Sequence, residues 1–324
     1  SITLTPIASD AGFRRYFRFE SPSQWLAVDA PPQTEDSRQF VALARYLSGH
    51  QVKTPKILAA DEGQGFLLVE DFGDELLHGH LNSNTALHLY RGAFKSLLSL
   101  QACPDQPDLI PRYDRALLRR ELEIFNEWFV AKLLGYELSS PEQAMLDALF
   151  KNLEDVALGQ PQTLVHRDFH SRNLIIRSDE SLGVIDFQGA LWGGCTYDLV
   201  SLLRDCYISW PEELVTGLAL EYRAAAINAK VLDESIDEAR YLRWFDWLGL
   251  QRHIKVLGIF ARLNLRDNKP NYLKDLPLVI HYTLSVAESY PQLTEFSEWF
   301  RARLMPLIEQ QPWFSGHADD EDEQ

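Results

Sequence analysis

The feature that most constrains how this chain folds is a change of hydrophobic period near residue 80. Before it, apolar residues come in short aromatic and β-branched runs. Gly12–Phe19 and Trp25–Val28 flank Ser21-Pro22-Ser23, and Lys56–Ala59 and Phe66–Val69 flank Asp61–Gly65. Runs of this kind separated by turn residues read as strands in hairpins. Pro31-Pro32 breaks the pattern ahead of one helical stripe, Phe40, Leu43, Ala44 and Leu47. Beyond residue 80 the period becomes helical. Asn84 is placed to cap a helix with Leu87, Tyr90, Phe94 and Leu97 on its face, and Asp114 one with Leu118, Leu122, Phe125 and Phe129. Ser140-Pro141 reads as a cap followed by proline at the first helical position, and helices resume after Tyr197 to run as far as Gln310. A single β patch interrupts them: Thr163–His166, Leu174–Arg177 and Leu182–Ile185. The expected architecture is α+β. A small β-rich lobe spans 1–72, Glu70–Asp74 forms a hinge, and a large helical lobe over 73–316 holds one β hairpin.

Composition narrows the partners. Lys plus Arg number 31 against 47 Asp plus Glu, a formal charge of −16. That field repels phosphate backbones and anionic lipid, so neither nucleic acid nor a membrane surface is an expected partner. Part of the excess is Asp319–Glu323, inside an acidic tail over 317–324 expected to be solvated and disordered. Cys103, Cys195 and Cys206 are odd in number and form no CxxC pair, which suits reduced thiols rather than a disulfide framework or zinc site. Ser1–Pro6 has no basic region followed by an apolar stretch, and no run approaches the ~18 apolar residues of a membrane span. A cytoplasmic monomer is expected.

The β patch carries the chemistry. His166-Arg167-Asp168-Phe169-His170-Ser171-Arg172-Asn173 follows an apolar strand, and Asp186-Phe187-Gln188-Gly189 ends the hairpin after it. A tight hairpin can bring Asn173, at the start of one strand, beside Asp186 at the end of the other. Paired oxygen ligands of this type suit Mg²⁺ shared with phosphate oxygens. Asp168 would then be free to accept a proton from a substrate hydroxyl.

His166-x-Asp168-x-x-x-x-Asn173 followed by Ile185-Asp186-Phe187 resembles the catalytic loop and metal-binding Asp motif of the aminoglycoside-phosphotransferase-like kinases. The resemblance extends to Asp10–Arg18, Asp29–Pro32, Glu70–Gly73, Thr196–Leu199 and Gln251–Leu263, which are similar to the bacterial anomeric kinases of N-acetylmuramate and N-acetylglucosamine. It implies a protein-kinase-like bilobal fold, ATP and Mg²⁺ as cofactors, and a small-molecule sugar as acceptor. It also implies Asp168 as catalytic base, Asn173 and Asp186 as metal ligands, and the backbone around Glu70 and Phe72 as the adenine site.

The departures from the kinase pattern matter as much. No lysine stands in Leu26-Ala27-Val28-Asp29, where a strand lysine pairs the α- and β-phosphates, and the stretch Asp10–Arg18 has only Gly12 as a glycine. Arg14, Arg15 and Arg18 are the donors left for phosphate, with alternation allowing only some of them onto one face. Arg172, inside the loop, is placed to offset charge on the transferring phosphoryl group. His166 reads as a structural hydrogen-bonding residue and Asp198 as a cap or brace. His170 stands between catalysis, substrate contact and packing, and Trp192, Asp205 and Trp210 are candidates for the acceptor pocket. Two other functions stay open: an aminoglycoside or amino-alcohol phosphotransferase, and an inactive nucleotide-binding pseudokinase.

Overall fold

The computed structural model describes residues 3–7, 13–20 and 24–314. The turn at Ser21-Pro22-Ser23, Asp10–Gly12 of the first run and the acidic tail lie outside them. The chain divides into two compact units. One comprises Ser1–Arg112, Thr163–Trp192 and Ala224–Leu232, and the other Tyr113–Gln162, Gly193–Arg223 and Asp233–Gln324.

In the first unit, β1 (Leu4–Ile7), β2 (Arg15–Phe19), β3 (Trp25–Asp29), β4 (Ile57–Asp61) and β5 (Phe66–Glu70) form one antiparallel sheet, ordered β1-β2-β3-β5-β4. Alternation buries Val28, Leu67 and Val69. Between β3 and β4 runs α1 (Ser37–Gly49), whose stripe of Phe40, Val41, Leu43, Ala44 and Leu47 is buried as its period requires. Asp36 caps it by accepting from the Gln39 N–H at 3.0 Å. After α2 (Ala86–Gln101) the unit resumes with β6 (Gln162–Val165), the antiparallel hairpin of β7 (Leu174–Ile176) and β8 (Leu182–Val184), and β9 (Leu191–Gly194).

The second unit is helical: α3 (Arg115–Ile124), α4 (Ser140–Leu158), α5 (Tyr197–Leu203), the start of α6 (Glu212–Asn228), α7 (Glu238–Leu265) and α8 (Leu276–Ser289). Phe125, Phe129, Phe150, Trp247, Leu250, Ile254, Leu257 and Phe300 meet in its core. The backbone of α3 runs on into a π-helical stretch, Phe125–Leu133. There α7 approaches so closely that a Cβ at Gly258 would lie 2.5 Å from the Ile124 carbonyl carbon. Only glycine fits that crossing.

Several boundaries differ from expectation. α2 starts at Ala86, with Thr85 rather than Asn84 at the cap position. α4 is capped by Ser139, one residue before the predicted Ser140, because Glu142 then falls three residues on and closes a capping box. Strands β1 and β9 are short and were not signalled by their composition. Among the described residues no helix is long and apolar enough to cross a membrane.

Glu142 anchors the second unit. Its carboxylate accepts from the Tyr136 hydroxyl (2.6 Å), the Ser139 hydroxyl (2.7 Å) and N–H (2.8 Å), and the Trp299 indole (3.0 Å). These bonds, Tyr136's foremost, hold its pKa down to about 2. A carboxyl depressed in the fold contributes stability above its unfolded pKa and loses it as pH falls through the folded value. Glu142→Gln is therefore expected to cost about 1–2 kcal/mol at pH 7. Urea denaturation should show the gap to wild type closing as pH falls from about 4.5 towards about 2.

Candidate active site

The loop after β6 is held by a buried imidazole. His166, fully buried, donates from Nε2 to the Ile185 carbonyl (2.9 Å) and accepts the Asp168 N–H at Nδ1 (3.3 Å). That fixes the tautomer and confirms its hydrogen-bonding role. The ring thus ties the loop to the residue just before Asp186. Arg167 adopts a left-handed backbone (φ 79°), a conformation that non-glycine residues hold only when their surroundings enforce it, and its guanidinium reaches the Gly189 carbonyl at 3.4 Å.

The same construction serves both acids. Asp168 is exposed while Phe169 beside it is fully buried; Asp186 is exposed while Phe187 beside it is buried. Each phenyl ring is an anchor that leaves the neighbouring carboxylate facing outward. Phe187 stacks on Phe40 of α1, ring centroids 5.1 Å apart. Asp186 itself sits at φ 63°, which an Asp tolerates better than most residues, and accepts from the Gln188 amide at 2.5 Å.

Asn173 joins the two. Its Nδ2 donates to the Asp168 carbonyl (2.9 Å), its carbonyl accepts the Ile185 N–H (3.1 Å), and the next ladder pair is Leu174 opposite Val184. With the amide nitrogen so engaged, its Oδ1 is the atom left to face a ligand. The hairpin therefore brings Asn173 to the Asp186 end as its register predicts. His170 neighbours it, with Nε2 3.5 Å from Asn173 Nδ2, and Arg172 lies in the 3₁₀ turn Ser171–Asn173.

The three arginines of the first hairpin have different surroundings. Arg15 is exposed and paired with Asp29 across the ladder. Arg18 bonds Asp71 (2.7 and 3.0 Å) and Asp74 (2.6 and 3.0 Å), joining β2 to the connector after β5. Arg14 is buried, 3.0 Å from Glu35 and 4.5 Å above the Phe40 ring. On the connector, Glu70 accepts from Arg177 (3.2 Å), and the Phe72 ring lies under the same guanidinium at 4.6 Å. Both side chains brace the hairpin through Arg177.

The acceptor candidates belong to both units. The Trp192 ring lies beneath Arg112 (5.8 Å), and its backbone N–H donates to the Pro111 carbonyl (2.8 Å). Asp205, fully buried, accepts the Tyr207 N–H (3.2 Å) and belongs with Trp210 to the second unit. Sequence reasoning missed Glu35, Tyr16 and Arg177 altogether. The signal available was weak: an acid just before a helix cap, after Pro31-Pro32.

The model of the phosphotransferase enzyme family, APH, matches residues 3–241. The chain belongs to that family. It is 42% identical over 297 residues to the N-acetylmuramate/N-acetylglucosamine kinase of Pseudomonas aeruginosa, covering 91% of this chain and 87% of that protein. It is 39% identical to the protein of the same name from Neisseria meningitidis, covering 90% and 87%. Among solved structures it resembles an ethanolamine kinase of Plasmodium vivax (TM-score 0.65, 12% identity, 87% of this chain and 82% of that one). It also resembles the gentamicin complex of APH(2")-IIa (TM-score 0.60, 15% identity, 86% and 91%). These share the protein-kinase-like fold.

One contact at this site is directly testable. A Cβ on Gly183 would lie 2.4 Å from the Phe72 ring. Gly183→Ala should destabilise by about 1–3 kcal/mol in urea titrations, as overpacking does. Adding Phe72→Ala should recover part of that loss, the non-additivity expected of two residues in direct contact.

Proposed function

We propose that this chain transfers the γ-phosphoryl group of ATP to the anomeric hydroxyl of N-acetylmuramate or N-acetylglucosamine, giving a sugar 1-phosphate in cell-wall recycling. The observation that carries this reading is 42% identity, along 91% of the chain, to a relative named for those two sugars. The exposed acids at Asp168 and Asp186, joined through Asn173, support it.

Asp168 orients the acceptor and takes its proton. The anomeric hydroxyl is the most acidic on the ring, and in a loose transfer its proton need not leave early, so an ordinary carboxylate suffices. Asn173 Oδ1 and the Asp186 carboxylate are hard oxygen donors that fit Mg²⁺, which takes one or two protein ligands and completes its shell with phosphate and water. Mg²⁺, when bound, would neutralise charge on the β- and γ-phosphate oxygens. Arg172 is the loop cation suited to offset charge on the transferring group. The strands over 1–72 would supply the nucleotide side, with the backbone by Glu70 and Phe72 receiving adenine. His170, Trp192, Asp205 and Trp210 remain proposed acceptor residues. Three buried cysteines kept as thiols suit a reducing, cytoplasmic setting.

The methyl glycoside of N-acetylglucosamine keeps the ring and the N-acetyl group but lacks the nucleophile. It should bind without being phosphorylated, and Asp168→Ala should lower kcat on the free sugar by about 10²–10⁴-fold. Coupled ADP-release assays read both. Phosphorylation of the methyl glycoside at the rate of the free sugar would move transfer to another hydroxyl. Turnover of kanamycin but neither sugar would make the chain an aminoglycoside kinase, and nucleotide binding without any turnover would make it a pseudokinase.

A further inference from the structure

The phosphate chain of a nucleotide carries several negative charges, and β3 offers no lysine to meet them. The register of the sheet makes the gap concrete. β3 reads Trp25-Leu26-Ala27-Val28-Asp29, and its terminal acid is turned to Arg15. Some other cation must stand near Asp186, and it must be held as firmly as a strand residue would be.

Two of the three arginines are committed elsewhere. Arg15 is largely solvent-exposed and answers Asp29. Arg18 is gripped by two carboxylates at once, which satisfies its planar donor fork and makes it a tie between β2 and the connector. Arg14 differs on each count. It is 7% exposed, and its Nη2 meets Glu35 Oε2 at 3.0 Å. Its Nε is buried and has no hydrogen-bond partner among the described residues. A buried donor without an acceptor costs about 1–3 kcal/mol, so this Nε calls for a water, an ion or a ligand to complete it.

The surroundings aim this guanidinium. Glu35 accepts both from it and, at Oε1, from the Phe13 N–H (3.2 Å), so one carboxylate fixes the side chain and the backbone that carries it. Phe40, one helical turn into α1, has its ring centroid 4.5 Å from the guanidinium carbon and also stacks on Phe187. A chain of contacts thus runs from Arg14 through Phe40 to the residue next to Asp186. Tyr16, two residues along β2, reports the same neighbourhood. Burial raises its hydroxyl pKa, Arg14 opposes the rise, and the charges of Asp186 and Glu35 add to it.

We infer that Arg14 is the cation that grips the nucleotide phosphates in place of the absent strand lysine, with Glu35 as its positioning partner. The inference rests on the kinase reading above and deepens it. Arg14 supplies Nε to a phosphate oxygen, while Glu35 and Phe40 keep the fork from rotating away. Arg15 and Arg18 serve the fold.

The test compares Mg-ATP with adenosine, which shares the base and sugar but has no phosphate. Calorimetry on Arg14→Met should show Mg-ATP affinity reduced about 10–100-fold, the loss of one charge-assisted contact to phosphate, with adenosine affinity unchanged. kcat should fall with it while KM for N-acetylglucosamine stays within about twofold, since the interaction also acts on the transition state. Arg14→Lys should recover part of the Mg-ATP affinity, and Glu35→Gln should lose about 3–10-fold of it by loosening the same group. Equal losses of adenosine and Mg-ATP affinity would reduce Arg14 to a structural residue, and unchanged Mg-ATP affinity would remove it from the site; either overturns the inference. If Arg14→Met does not fold, a wild-type Mg-ATP affinity in Arg14→Lys and Glu35→Gln together overturns it equally. The affinity readouts use nucleotide alone, so a wild-type protein that binds Mg-ATP but phosphorylates neither sugar would sink the acceptor assignment and leave this inference intact.

Discussion

The buried His166 imidazole is the interaction on which the candidate site depends. It bonds the Ile185 carbonyl on one side and the Asp168 N–H on the other, so a loop and a hairpin end distant in sequence are set by one rigid ring. Asn173 repeats the tie, donating to the Asp168 carbonyl and accepting from Ile185. Backbone bonds at both ends thus hold the residues that carry Asp168 and Asp186 in relation. Each is left exposed beside a buried phenylalanine.

Charge presents the complementary problem. A chain of net charge −16 must collect an anionic nucleotide, and its acids compete for every cation it has. Arg15 answers Asp29, Arg18 answers Asp71 and Asp74, and Arg177 answers Glu70. Most of the basic residues near the strands are therefore structural crosslinks. Arg14 differs from these three in an Nε unpartnered among the described residues and in its place over Phe40, and the ring contact from Phe40 to Phe187 links it to the residue beside Asp186.

Much of this was legible from residue order, and the rest was hidden for physical reasons. The hairpins of the sheet, the stripe of α1 and the β7–β8 pairing follow local rules of period and turn chemistry, which single segments express. β1 and β9 are four residues each and owe their state to partners across the sheet or hairpin. Ser139 took the cap from Ser140 because the position of Glu142 decides which serine closes a box. The three first-hairpin arginines look alike in sequence, and only folding shows which carboxylates claim them. Gln251, Arg252, His253 and Lys255 on α7 are buried although their types suggest a surface; Lys255 reaches Glu121 at 3.2 Å and the Tyr197 hydroxyl at 3.0 Å. Partner identity of that kind is a tertiary property.

The most direct test of the site is the Mg²⁺ dependence of ADP affinity, measured calorimetrically in wild type and Asp186→Ala. If Asp186 and Asn173 hold the ion with the nucleotide, Mg²⁺ should tighten ADP binding about tenfold or more in wild type. The variant should bind ADP equally with and without Mg²⁺, at the metal-free wild-type affinity. An Asp186→Ala protein that kept the full Mg²⁺ enhancement would contradict the assignment of this hairpin end as the metal-holding part of the site.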